Sequence, residues 1–336
     1  MPTITLFPNL KVKGNPYIQD FIDALNQQEG IVVVNPAHKN PLLSILPKKH
    51  WGDIFIFNWF ESIPDFKYGL LQSLIAVFFV IFIKLSGRKI VWILHNKQPH
   101  KQKWGFVKQF LGKFIASFAD LIITHATDGI KLVQEKYPYA QDKVHFLHHP
   151  TKNKLDYISN HPSPKSYDLL IWGAIVQYKG ITEFIDYLSQ HPEEKMNVCI
   201  VGKCASKDLF NKLSQTLPSN ITLIHKRASF EELAGYISQS HFVLMPYYSR
   251  SILSSGILMD SLSFGAKIIG PHTGSFKDYT QEPLLKVYTF QDFGDIYPIV
   301  KQKKDIPISI EDYRNFLRNN NWTAFAQSFT RLLTSE

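Results

Sequence analysis

Two cysteines, Cys199 and Cys204, are all that the 336-residue chain carries. No second Cys or His cluster lies at zinc spacing near them. That excludes a disulfide framework and a structural zinc site, and it fits a reducing compartment. Charge is also sparse. Charged residues make up 19%, and the 28 acidic side chains are outnumbered by 37 basic ones, for a net charge of +9. The excess suits an anionic partner. The basic residues fall in short clusters such as Lys97 to Lys108, with no continuous basic helix and no nucleic-acid motif. Nucleic acid therefore ranks behind a phosphorylated ligand or an anionic membrane face. The opening run TITLFP has neither the charged n-region nor the apolar h-region of a secretory leader.

Long apolar runs are missing too. The longest unbroken one, Leu74 to Ile83, has ten residues, against the roughly 20 needed to span a bilayer. It lies within YGLLQSLIAVFFVIFIKL (68–85), where Phe78, Phe79, Phe82 and Ile83 spread around most of a helix that ends in Lys84, Arg88 and Lys89. A helix of a doubly wound domain usually keeps one solvated side. Two readings stay open: a helix buried in the core, and one whose outward apolar side rests in a membrane interface.

What the sequence does have is alternation. Short runs rich in Ile, Val and Phe recur at 4–7, 31–34, 53–57, 89–94, 120–124 and 143–147, separated by helical segments around 16–27, 66–86, 104–118 and 127–136. Continuous apolar strands of this length suit a parallel sheet buried on both sides. The polar stretch 148–166 carries three prolines and breaks the rhythm, as an interdomain linker does. Strands then resume at 167–172, 196–202, 220–225, 241–246 and 266–271, with helices near 179–190, 206–217, 229–239 and 255–264 and two helical pieces meeting near Trp322. A single core seldom grows to this length. The expected fold is α/β: two doubly wound Rossmann-like domains, 1–150 and 167–310, joined by a linker at 151–166, with helices at 311–336 packing back toward the first domain and a cleft between the two.

In such sheets ligands bind beyond the carboxyl ends of strands. The strand ending at Pro246 leads through a loop with Arg250 to Ser254-Ser255-Gly256, which opens a helix. Unpaired N–H groups at that terminus can hold phosphate, Gly256 admits the anion close to the backbone, and the two serines add hydroxyl donors. An ordinary serine cap reads the same way when taken alone. Gly173, Lys179 and Arg227 follow strands on the same rim and add positive charge and close approach. In the first domain, His95, Asn96 and His100 follow the strand KIVWIL; Asn58, Trp59 and Glu61 follow DIFIF; His125 follows DLIIT. The Asn and His side chains suit sugar hydroxyls, Trp59 suits stacking on a sugar ring, and His95 or Glu61 suits proton abstraction.

These segments together resemble the GT-B glycosyltransferases that build bacterial surface polysaccharides, of the glycosyltransferase group 1, family 4 type. The resemblance rests on WGAIVQYKGITEFI, NVCIVGK, FEELAGYISQSHFVLMPY and SRSILSSGILMDSLSFGAKIIGPHTGSF in the second half, and on VWILHNKQPHK in the first. It implies a nucleotide sugar in the second domain. Lys179, Ser255 and Gly256 would hold the donor diphosphate, and His95 would face the transferred sugar. It implies a lipid-linked or oligosaccharide acceptor in the first domain, capsule-type polysaccharide synthesis, and a cytoplasmic place on the inner face of the membrane. The chain departs from the family at Ala174, where an arginine is usual. It departs again at Ile252 and Asp260, where a pair of glutamates is usual, so the resemblance does not fix retention or inversion. No metal or cofactor beyond the nucleotide sugar is expected. A catalytically degenerate GT-B subunit and a sugar-nucleotide epimerase are the competing readings.

Overall fold

The computed structural model describes residues 2–9, 16–97, 103–159, 164–247 and 252–334. The chain divides into two compact units. The first comprises Met1–His149, Ser251–Leu253 and Trp322–Glu336, and the second Pro150–Arg250 and Ser254–Asn321.

The first unit is a six-stranded, all-parallel sheet of β1 (Thr3–Phe7), β2 (Val32–Val33), β3 (Ile54–Asn58), β4 (Lys89–Leu94), β5 (Leu121–Thr124) and β6 (Val144–Phe146), in the order β2-β1-β3-β4-β5-β6. Helices α1 (Tyr17–Asn26), α2 (Gly69–Leu85), α3 (Gly105–Phe118) and α4 (Thr127–Lys136) connect the strands. The alternation of each strand sorts its side chains into two cores. Phe55, Phe57, Ile90, Trp92 and Leu94 pack with Phe79 and Ile83 of α2 and Leu111 and Ile115 of α3. Ile54, Ile56, Val91 and Ile93 pack on the other side with Tyr17 and Phe21 of α1 and Phe325 and Phe329 of the C-terminal helix.

The second unit opens with α5 (Leu155–Ser159) and repeats the plan. Strands β7 (Tyr167–Trp172), β8 (Val198–Val201), β9 (Ile221–Ile224), β10 (Ser240–Leu244), β11 (Ile268–Pro271) and β12 (Val287–Phe290) lie parallel in the order β12-β11-β10-β7-β8-β9. The intervening helices are α6 (Ile181–Gln190), α7 (Lys207–Thr216), α8 (Phe230–Ser238), α9 (Gly256–Ser263), α10 (Gly274–Tyr279) and α11 (Ile296–Lys303). Serine starts several of them. Ser206, Ser229 and Ser255 each accept from a backbone N–H in the first turn, and Ser229 closes a full capping box with Glu232. The two tail helices separate: α12 (Ile310–Asn319) packs on α9 within the second unit, and α13 (Trp322–Thr334) packs on α1 within the first.

The fold class is the expected one. In each sheet the strand order reverses once, between β1 and β3 in the first unit and between β7 and β10 in the second. Open α/β sheets bind ligands at that reversal, beyond the carboxyl ends of the strands.

The stretch expected to be a linker is more structured than its prolines suggest. Lys154 and Leu155 are buried, and Lys154 Nζ reaches Asp260 Oδ1 at 2.8 Å and Ser263 Oγ at 3.1 Å. The apolar helix α2 is neither wholly core nor long enough to cross a membrane; no helix among the described residues is. Leu71, Leu74, Phe78 and Phe82 on its outer side are more than half exposed.

Candidate nucleotide-sugar site

The reversal point of the second unit is built around three glycines. β7 ends at Trp172, and Gly173 turns with φ +98°. A Cβ on Gly173 would stand 2.7 Å from Ile257 Cδ1 of α9 and 3.4 Å from Lys179 Nζ. Gly180, at φ +68°, lies so close to Pro246 that a Cβ would meet that carbonyl oxygen at 2.0 Å. The turn carrying Lys179 is thereby clamped to the segment after β10, and its side chain points back across the reversal to Gly173 and α9.

Lys179 is 7% exposed, and burial alone pushes its ammonium down to about 8. Among the described residues no carboxylate or hydrogen-bond acceptor meets it. A buried cation without a counter-charge is costly, and an anion bound beside it removes the cost. The start of α9 adds to this. Ser254 Oγ is buried with no hydrogen-bond partner among the described residues, and Ser255 accepts from Leu258 N while lying 3.3 Å from Tyr247 Oη. Gly256 is exposed, and a Cβ there would touch nothing within 4 Å. Among the described residues nothing requires a glycine at that position; close approach of a ligand to the helix N-terminus would.

Of the remaining donor-side residues, Asp260 is held by Lys154, while the neighbouring Ser261 accepts from the Trp172 indole at 2.9 Å. Arg227 is exposed after the edge strand β9, two strands from the reversal, and is not brought to Lys179. Arg250 lies outside the described residues. Sequence reasoning missed Tyr247 and Lys154. Tyr247 sits in MPYY without distinguishing context, and Lys154 lies in the stretch taken for a linker.

In the first unit the carboxyl rim gathers Asn58, Trp59, His95 and His125 around a residue the sequence did not single out, Tyr17. Asn58 Nδ2 donates to Phe7 O at 3.2 Å across the β1/β3 reversal. That fixes the amide, so His95 Nε2–H donates to Asn58 Oδ1 at 2.9 Å. His95 stacks on Trp59 with ring centres 4.3 Å apart, and Trp59 itself takes the left-handed φ of 50°. Burial, with His125 and His149 nearby, drives His95 well below the usual histidine range. The ring is neutral and presents Nδ1 as an acceptor, suited to a sugar hydroxyl. Asn96 follows it, its backbone bridged antiparallel to Ile252.

His125 is different. Its Nδ1–H donates to Leu147 O at 2.9 Å, and Nε2 accepts from Tyr17 Oη at 2.9 Å. With both nitrogens engaged and the ring fully buried, it supports Tyr17 and has no nitrogen left for a sugar. Tyr17 in turn touches the rings of Trp59, His95, His149 and Trp322.

Glu61 is not brought to this rim. It follows Phe60 into the core beneath α2 and α3, beside Trp92, Tyr137 and Lys108, where burial raises its carboxyl to about 7. Its Oε2 is buried and closes no hydrogen bond among the described residues. An acid sealed in that core has no route to an acceptor hydroxyl, so the base role expected for it has no geometric support. His100 lies outside the described residues. Among the described residues, no group of three or more His, Cys, Asp or Glu is placed to hold a metal ion, and both cysteines are free and buried.

No protein-family profile matches the chain. It is 23% identical over 283 residues to a GDP-mannose:glycolipid 4-beta-D-mannosyltransferase of Xanthomonas campestris pv. campestris, covering 82% of this chain and 75% of that one. Among solved structures it is similar to Anabaena Alr3699/HepE in complex with UDP-glucose, with a TM-score of 0.69, 12% identity and full coverage of both chains. It is also similar to the lipopolysaccharide outer core galactosyltransferase WaaB, with a TM-score of 0.66, 13% identity and coverage of 100% and 99%. At such identities the solved structures speak for the fold, and the curated relative, matched along four-fifths of the chain, speaks for the chemistry: the chain is a glycosyltransferase of the GT-B type.

Proposed function

We propose that the chain transfers a hexose from a nucleoside-diphosphate donor to a lipid-linked or oligosaccharide acceptor in the assembly of a surface polysaccharide. The observation that carries the reading is Lys179, a buried lysine with no counter-ion among the described residues, directed at Gly173 and the start of α9. Departure of the sugar builds negative charge on the diphosphate. A preorganised ammonium and the free N–H groups of α9 stabilise that charge where it develops. This assigns the leaving-group charge to Lys179, Ser254, Ser255 and Gly256, without a metal. His95, oriented by Asn58, accepts from a hydroxyl of the transferred sugar or acceptor, and Trp59 is its stacking platform.

The mannosyltransferase relative is named for GDP-mannose and a glycolipid, which makes GDP-mannose the first donor to test and favours a lipid-linked acceptor. Contact of α2, within 68–85, with the cytoplasmic face of a membrane belongs to the same reading, because a lipid-linked acceptor has to be met at the bilayer. Its support is the exposed apolar side of that helix.

Thermal unfolding with GDP, UDP and ADP, followed by radiolabelled transfer from the sugar nucleotide of whichever stabilises, tests this. A ligand at 100 times its Kd adds about 2.7 kcal/mol. If no nucleoside diphosphate shifts the transition, the donor site is wrongly placed.

A further inference from the structure

The helices α2 and α3 start alike. Each follows a Lys-aromatic-Gly triplet, Lys67-Tyr68-Gly69 and Lys103-Trp104-Gly105. In each the aromatic residue occupies the N-cap in the left-handed region, with φ 58° at Tyr68 and 63° at Trp104. In each the lysine lies over the neighbouring ring, at 5.1 Å and 5.4 Å. A left-handed aromatic costs on the order of 1–2 kcal/mol, and such outliers persist where the surroundings enforce them. Here the enforcement is visible. A Cβ on Gly69 would strike Pro64 O at 2.1 Å, and the buried Lys108 Nζ is paired with Asp65 Oδ2 at 2.8 Å, fastening α3 to the turn that precedes α2. Between the two corners lies a cavity of about 480 Å³, lined in part by Tyr68, Leu70, Leu71, Lys103 and Trp104. The corners therefore share one surface.

Helix α2 is apolar on both sides: Ala76, Phe79, Val80 and Ile83 pack into the core. Its polar Gln72 and Ser73 are buried, while Leu71, Leu74, Phe78 and Phe82 are exposed. The start of α3 continues the surface with Phe106 at 85% exposure and Phe110 at 50%. Neither helix contains an Asp or Glu, and Lys67, Lys103 and Lys113 are exposed at its margin. The cavity between the corners is also lined by Asp65, whose carboxylate is paired with the buried Lys108. Aromatic residues with polar tips, lysines that extend past them, and an apolar field on two acid-free helices are what the boundary of an anionic bilayer favours.

We propose that α2 and the first two turns of α3 form one membrane-inserted surface, with Tyr68 and Trp104 at headgroup level and Lys67 and Lys103 on anionic lipid phosphates. This deepens the contact through 68–85 proposed above, and rests on it, by making α3 half of the surface and anionic lipid its partner.

Single nitroxide labels at Phe78→Cys, Phe106→Cys and, as control, the exposed Val32→Cys test it; the buried Cys199 and Cys204 leave labelling selective. On vesicles of phosphatidylglycerol and phosphatidylcholine, the 78 and 106 labels should lose access to a water-soluble nickel relaxant and gain oxygen access, with 32 unchanged. Lys67→Gln with Lys103→Gln should weaken vesicle binding about fivefold per lysine, and pure phosphatidylcholine vesicles should bind least. A label at 106 that stays in water while 78 inserts would overturn the role of α3 and leave the α2 contact standing. If both stay in water, the α2 contact falls as well. Labels shielded before vesicles are added, in a species of doubled mass, would mean that a second copy covers this surface and would likewise overturn the proposal.

Discussion

Lys179 Nζ lies against Gly173, so close that a methyl group on the glycine would stand 3.4 Å from the ammonium and 2.7 Å from Ile257 Cδ1. With φ at +98° the position is also strained for any L side chain. Gly173→Ala should lower stability by about 1–3 kcal/mol and displace Lys179, weakening nucleoside-diphosphate binding more than the stability loss alone would. Urea midpoints alongside titration calorimetry check this; a variant with unaltered diphosphate affinity would detach Gly173 from the site.

The lysine makes stability depend on pH. Its folded pKa, about 8, is below the ordinary lysine value of 10.5, so between those limits the unfolded chain binds more protons. Stability without ligand should therefore rise from about pH 8 to 10.5, by at most about 1.4 kcal/mol per pH unit from this group. Lys179→Met should abolish that rise and stabilise the unliganded protein at pH 7. A bound diphosphate favours the ammonium, so donor affinity should fall as pH climbs above about 8 in the native chain and remain level in the variant. Urea unfolding at pH 7 and 9.5, with and without nucleotide, distinguishes the cases.

Gly256 offers the cleanest separation of folding from binding. A Cβ at that position meets no atom of the described residues within 4 Å, and alanine at the start of a helix reduces the freedom of the unfolded chain. Gly256→Ala should leave stability unchanged or raise it by up to about 1 kcal/mol, while nucleoside-diphosphate affinity drops at least about tenfold. Equal affinity in the variant would mean that no ligand approaches α9 at this point.

Both sheets and most of the helices were legible in the sequence because parallel strands buried on two sides are apolar throughout, as in KIVWIL and VCIV. The segment 277–303 was not, since β12 is a four-residue edge strand, VYTF, with two half-buried side chains. The donor turn was readable from Ser-Ser-Gly and Lys-Gly, but the clamp between Gly180 and Pro246 needs the sheet order to appear. Glu61 misled for a physical reason. Strand-end position placed it near the rim, whereas the short helical turn after Trp59 carries it to the opposite side of β4. Tyr17 was hidden because a tyrosine on the apolar side of α1 looks like ordinary core.

The buried histidines set the acid limit. His95 is held well below the normal range and His125 down to about 3, both chiefly by burial. A histidine neutral when folded and charged when unfolded contributes stability that is present above pH 6.5 and lost as pH falls toward its folded pKa. The chain should lose up to about 1.4 kcal/mol per pH unit for each below pH 6.5. Nitrogen NMR should find His95 neutral at pH 6, protonated on Nε2. Asn58→Asp, by placing an anion on Nε2–H, should raise the His95 pKa and add an acid limb to the rate of transfer. A native His95 titrating near 6.5 would contradict the assigned geometry.

The central claim is that Lys179 is the counter-charge of a donor diphosphate. Calorimetric titration of the native chain and of Lys179→Gln with GDP and UDP at pH 7 tests it most directly. The account predicts binding of at least one of the two by the native chain. It further predicts a 10- to 100-fold loss in the variant, the worth of about 1.5–3 kcal/mol for a hydrogen bond to a charged group. Equal affinity of the two proteins, or binding by neither, would contradict it.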